Sequence, residues 1–169
     1  IRMAARLLAS FPFVRGLLLT GGASKGAMHP LDDFDFLVFT EPGRMWLCRT
    51  FIALFRRLVS LDYRNTRHRF FCCNYFIEAD SLELPEHNGF TAIELLSARP
   101  LFNPQLGKKF VEANKWARER FGGTGLPPVI RVVKPLSPLK WIVEALLGLA
   151  LGGRLEEILK EKYYRHWFA

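Results

Sequence analysis

The chain has 169 residues, half of them hydrophobic and 24% charged, enough for one compact domain with a sizeable core. That balance excludes a disordered or low-complexity chain. Lys and Arg outnumber Asp and Glu by 24 to 16, and the net charge of +8 suits an anionic ligand without specifying a fold. The excess is uneven: residues 41–70 carry seven Arg against two acids, and residues 71–100 carry one Arg against five. Cys48, Cys72 and Cys73 form no CxxC pair and read as reduced, buried thiols of a cytoplasmic protein.

Residues 2–9 read as a short helix ended by Pro12. Val14 to Thr20 is an apolar run with the length of a buried strand, closed by Gly21-Gly22. Ala23 to Met28 fits one or two helical turns before Pro30, and Phe34 to Thr40 is a second strand, rich in aromatic and β-branched residues. Pro42 suits a first helical position, and apolar residues recur from Met45 to Val59 in a helix that also carries Arg44, Arg49, Arg56 and Arg57. Arg69 to Ile77 is apolar nearly throughout, which predicts a central third strand.

Ser81 to Gly89 is a polar loop. Thr91 and Glu94 form a capping box for a helix that stops near Pro100, and Asn103-Pro104 caps another through Phe121. Residues 122–137 are Gly- and Pro-rich and read as a linker. Ser137-Pro138 opens a helix to about Leu151, and Arg154 to Phe168 is the last amphipathic helix. Trp141, Ile142, Leu146 and Ile158 are among the apolar residues there that should not stay exposed. The most apolar stretch, Trp141 to Gly153, contains Glu144 and is too short to span a bilayer. The chain thus divides into a core over 1–121, a linker over 122–137 and C-terminal helices over 138–169 packed on the core. The element order predicts an α/β or α+β layered domain.

The stretch with most chemical content is Leu17 to Thr40. It sets a strand, a Gly-Gly turn, a short helix and an Asp-x-Asp on the next strand. A glycine pair lets backbone N–H groups approach a phosphate, and Lys25 beside it supplies a mobile countercharge. Ser24 has the hydroxyl either to donate to a phosphate or to cap the short helix. Asp33 and Asp35 lie two apart, so both carboxylates share a face while Phe34 and Phe36 point into the core. Two like charges so placed repel unless protons or a metal neutralise them, and hard oxygen ligands suit Mg²⁺ with substrate phosphates.

This run resembles the signature of the nucleotidyltransferase superfamily that includes DNA polymerase beta and the minimal nucleotidyltransferases of bacteria. The signature is a hydrophobic residue, Gly, Gly or Ser, about ten residues, then Asp-hydrophobic-Asp-hydrophobic. The chain has Thr20-Gly21-Gly22, ten residues, then Asp33-Phe34-Asp35-Phe36. Residues 71–102 and 110–121 extend the similarity to bacterial nucleotidyltransferase-domain proteins. The resemblance implies a short mixed sheet with helices against one side, plus C-terminal helices. It implies transfer of a nucleoside monophosphate from an NTP to an acceptor hydroxyl, with Mg²⁺ or Mn²⁺ on Asp33 and Asp35. Gly21, Gly22, Ser24 and Lys25 would then hold the triphosphate.

The superfamily places a third acid on a later core strand. Here the middle of that strand is Asn74, and alternation puts Asn74, Phe76 and Glu78 on one face. Glu78 reaches the site if the strand extends, and Asp62 is a further candidate. Without a third acid the chain reads as a catalytically weakened NTP-binding or protein-interaction module of the same fold. Arg64, Arg67, His68 and Arg69 crowd one loop, but no nucleic-acid-binding motif accompanies them. His29, His68, His87 and His166 show no metal-ligand spacing, and only His29, near the acids, is of interest. The acceptor stays open, as does whether the last helix packs internally, makes a homodimer or binds a partner protein.

Overall fold

The computed structural model describes residues 1–27, 33–59, 72–122, 127, 132–136, 139–150 and 153–168. They form an α/β fold around a four-stranded mixed sheet. Its elements are α1 (Arg2–Ala9), β1 (Val14–Thr20), α2 (Gly21–Lys25), β2 (Asp35–Thr40), α3 (Met45–Val59), β3 (Cys72–Glu78), α4 (Gly89–Ser97), β4 (Arg99–Phe102), α5 (Pro104–Ala113), α6 (Trp116–Phe121), α7 (Lys140–Ala150) and α8 (Gly153–Phe168). His29, Asp32, Asp62, Arg64, Arg67, His68 and Arg69 lie outside the described residues, as does the side chain of Asn74. No helix among the described residues is long and apolar enough to cross a membrane.

The strand order is β3-β2-β1-β4. β1 runs antiparallel to β2 and β4, and β2 runs parallel to β3. The two centre strands carry the most buried apolar residues, Leu17, Leu18, Leu19, Phe36, Val38 and Phe39 among them. The third strand, read from its apolar run as central, is an edge strand, and its Tyr75 is 44% exposed. β4 has no counterpart in the sequence reading, because Pro100 there signals only the end of a helix. An edge strand tolerates that proline, since the missing N–H need not serve a second neighbour. Beyond β4, Val133 donates its N–H to Leu101 O at 2.7 Å and is buried, so part of the 122–137 segment is pinned to the sheet.

Helices cover both faces of the sheet, whereas the sequence suggested one. On one face α1 and α3 pack Leu8, Leu47 and Ile52 against Leu17, Leu19, Phe36 and Val38, with Leu147 of α7 and Leu155 and Leu159 of α8 alongside. On the other, α4, α5 and α6 enclose Leu18, Phe39 and Ile77 with Leu95, Phe110 and Ala117. Gly16 permits close approach on this second face: a Cβ there would lie 2.9 Å from Phe39 Cδ2.

The helix expected over 104–121 is two helices. Asn114, fully buried, ends the first by donating to Phe110 O and Leu82 O at 2.9 and 2.7 Å while accepting the Leu84 N–H at 2.8 Å. An amide with that many partners fixes the break and the preceding loop together.

The C-terminal helices meet the core through buried polar groups. Both oxygens of Glu144 accept from Arg15 at 2.9 Å, and its Oε1 also accepts the Phe13 N–H at 2.6 Å. Lys140 donates to Ala9 O at 3.0 Å and to Val14 O. Glu156 of α8 caps α3, accepting the N–H groups of Trp46 and Leu47 at 2.6 and 3.0 Å. Trp141, Ile142, Leu146 and Ile158 nevertheless remain more than half exposed, against expectation. On α7 the inward face is the one carrying Lys140 and Glu144, so Ile142 and Leu146 turn outward.

Candidate functional site

The site grows from the end of β1. Thr20 pairs with Asp35 at the last step of the antiparallel ladder, which brings the glycine turn beside the first residue of β2. Gly21 takes φ +65°, and a Cβ built on it would lie 3.0 Å from Asp35 Cγ. Glycine is required there for conformation and for space. The glycines stand within α2 rather than ahead of it, and Gly22 O accepts the Ala27 N–H at 3.0 Å. Ser24 is buried and donates to Gly21 O at 2.8 Å, so its hydroxyl ties the turn together. Arg99, which sequence reasoning passed over, donates from Nε to Ser24 O at 2.6 Å and holds α2 against β4.

Lys25 pairs with Glu94 Oε1, and Glu94 Oε2 accepts the Gly21 N–H at 3.1 Å. One carboxylate from α4 thus sits on two of the donors that the sequence offers to a phosphate. Glu94 was read as half of a capping box with Thr91. Instead Asn88 caps α4, accepting the Thr91 N–H at 2.9 Å, and leaves Glu94 free of that duty.

Asp35 opens on a cavity of about 360 Å³, lined also by Thr20, Gly21, Leu37, Tyr75, Glu86, Phe90, Glu94 and Phe110. Asp33 lies just before β2, and the intervening Phe34 packs into the cluster on the opposite face, as does Phe36. Carboxylates are hard-oxygen donors of the kind that would suit Mg²⁺ or Mn²⁺ with substrate phosphates, and of Asp33 and Asp35 the latter alone lines the cavity. Among the described residues no three His, Cys, Asp or Glu side chains group to hold an ion by themselves.

Glu78 stands elsewhere. In the parallel β2–β3 ladder Asp35 pairs with Cys72 and Glu78 with Thr40, at opposite ends of β2. Five residue steps along β2 separate them, about 16 Å at roughly 3.3 Å each. The register also shifts between Cys73 and Tyr75, so Asn74 has no Cα partner and the alternation counted through it is broken. Tyr75 consequently lines the cavity while Phe76 packs on the far face. Glu78 Oε1 accepts the Gly43 N–H at 2.9 Å. It does not supply a third acid at Asp35.

Burial sets the remaining titrations. It pushes the Cys73 thiol up to about 12 and also raises that of Cys48, which disfavours the thiolate of both. Burial, with help from the Glu86 charge, raises Tyr75. The acids that share the cavity with Asp35 are therefore Glu86 and Glu94, and the signal that could have found them is the acidic balance of residues 71–100. No protein-family model matches the chain, and no curated protein matches it.

Proposed function

We propose that the chain is a nucleotidyltransferase, moving a nucleoside monophosphate from an NTP to an acceptor hydroxyl with Mg²⁺ or Mn²⁺. The observation that carries this reading is the contact between the Gly21 turn and the Asp35 carboxylate, at the mouth of a ligand-sized cavity. Asp33 and Asp35 would hold the ion, which when bound polarises the α-phosphate toward attack. The Gly21 N–H and the Lys25 ammonium are the donors for phosphate oxygens. Glu94 accepts from both, so a triphosphate binds by exchanging one anion for another. Ser24 and Arg99 act through the turn, keeping the Gly21 N–H aimed. The proton of the acceptor hydroxyl falls to a cavity carboxylate, with Glu86 and Glu94 replacing Glu78 as candidates.

A second reading, an NTP-binding or protein-interaction module of the same fold without transfer, has one observation in its favour. β3 brings no carboxylate of Glu78 to the Asp35 end of the sheet. Incubation with each NTP labelled at the α-phosphate, with Mg²⁺, separates the readings by label transferred and pyrophosphate released. Wild type should transfer and Asp35→Asn should not. Binding without transfer to any acceptor, the chain itself included, supports an NTP-binding module, and neither binding nor transfer removes both nucleotide readings and leaves the protein-interaction module.

A further inference from the structure

The cavity beside Asp35 runs against the charge of the chain. Among the described residues its lining includes Asp35, Glu86 and Glu94 and no Lys or Arg, in a protein of net charge +8. Most of the lining comes from residues 71–100, the stretch with one Arg against five acids. Lys25, at the neighbouring turn, is already paired with Glu94. Glu86 is exposed and has no hydrogen-bond or salt-bridge partner among the described residues.

The same cavity is strongly apolar. Leu37, Leu95 and Phe110 form part of its wall. At its rim Phe90 is 75% exposed and Tyr75 44% exposed, and neither belongs to a core cluster. Among the described residues neither ring packs into a core cluster, and both line the cavity together with the Glu86 carboxylate. Rings and carboxylate together favour a cation, through the ring quadrupole and through charge. Among the described residues the acids do not group around a point where an ion would take three of them as ligands. Dispersed charge interleaved with apolar surface suits a cation carried on a carbon skeleton.

We propose that this cavity binds a small organic cation, an ammonium or guanidinium group on an aromatic or aliphatic body. The charge lies beside Glu86, Tyr75 and Phe90, and the body lies against Leu37, Leu95 and Phe110. Net charge does not produce this preference, since a chain of +8 repels cations at long range. The proposal goes beyond the nucleotide reading and stands without it.

The test is calorimetric titration of the full chain, without NTP or metal, with phenethylammonium and with its neutral isostere phenethyl alcohol. The ammonium should bind saturably, and the alcohol at least about tenfold more weakly. Phe90→Ala and Glu86→Gln, both exposed and outside the core clusters, should each weaken ammonium binding about threefold to thirtyfold with an unchanged Tm. Equal binding of alcohol and ammonium overturns the proposal. So does no saturable ammonium binding up to about 10 mM, or variants that bind as wild type does. Because no nucleotide is present, a failure here leaves the nucleotidyl-transfer reading to its own assay.

Discussion

The carboxylate of Asp35 fills the space that any side chain at position 21 would enter, with the ideal Cβ of Gly21 only 3.0 Å from Asp35 Cγ. The glycine turn and the acid of the next strand are therefore one unit, although fourteen positions separate them in the chain. Gly21→Ala adds both a left-handed φ for a residue with a Cβ and this collision. It should lower stability by about 1–3 kcal/mol in urea denaturation. It should also weaken Mg²⁺–NTP binding, because the side chain that must yield is Asp35.

Glu94 accepts from the Gly21 N–H and pairs with the Lys25 ammonium. Glu94→Gln removes the charge that competes with an incoming phosphate, so NTP affinity should rise about twofold to tenfold, while Lys25→Met should lower it by a similar factor. Titration calorimetry reads both. Opposite signs would show that these donors do not meet phosphate.

Glu78 accepts the Gly43 N–H at the far end of β2 from Asp35. Glu78→Gln keeps that acceptor and should leave transfer within about twofold of wild type, against the roughly 10²–10⁴ loss expected for a general base. A large loss would place the base where the register does not.

Lys140 gives a pH signature. Burial lowers its pKa from 10.5 to about 8, the Glu144 charge opposing the shift. Across that window the unfolded chain holds a proton that the folded chain has released, so ν is larger for the unfolded state. Stability from this site is then lowest below pH 8 and rises toward 10.5. Relative to Lys140→Met, the urea midpoint of wild type should gain between pH 8 and 10.5. Parallel curves for the two proteins would contradict this.

Local pattern made several of these features legible. The apolar runs at Val14–Thr20 and Phe34–Thr40 are strands, with Phe34 and Phe36 packed on the face away from Asp35. What stayed hidden depends on tertiary pairing. β4 is four residues with Pro100 inside it, too short to show a period. The register shift at Asn74 changes which residues of β3 reach which face, and no alternation count anticipates it. Glu94 fits a capping box in the sequence, yet Asn88 takes the cap. Two-sided coverage of the sheet and the inward Lys140 and Glu144 follow from docking partners such as Arg15, which lie more than a hundred residues away in sequence.

The most direct test of the central claim is calorimetric titration of a non-hydrolysable ATP analogue into wild type and Asp35→Asn, each with and without Mg²⁺. If Asp33 and Asp35 hold the ion that carries the triphosphate to the Gly21 turn, wild type should bind only with Mg²⁺. Asp35→Asn should then lose at least about tenfold, the loss of one carboxylate from a two-carboxylate site. Equal binding with and without Mg²⁺, or an Asp35→Asn variant that binds as wild type does, would contradict it.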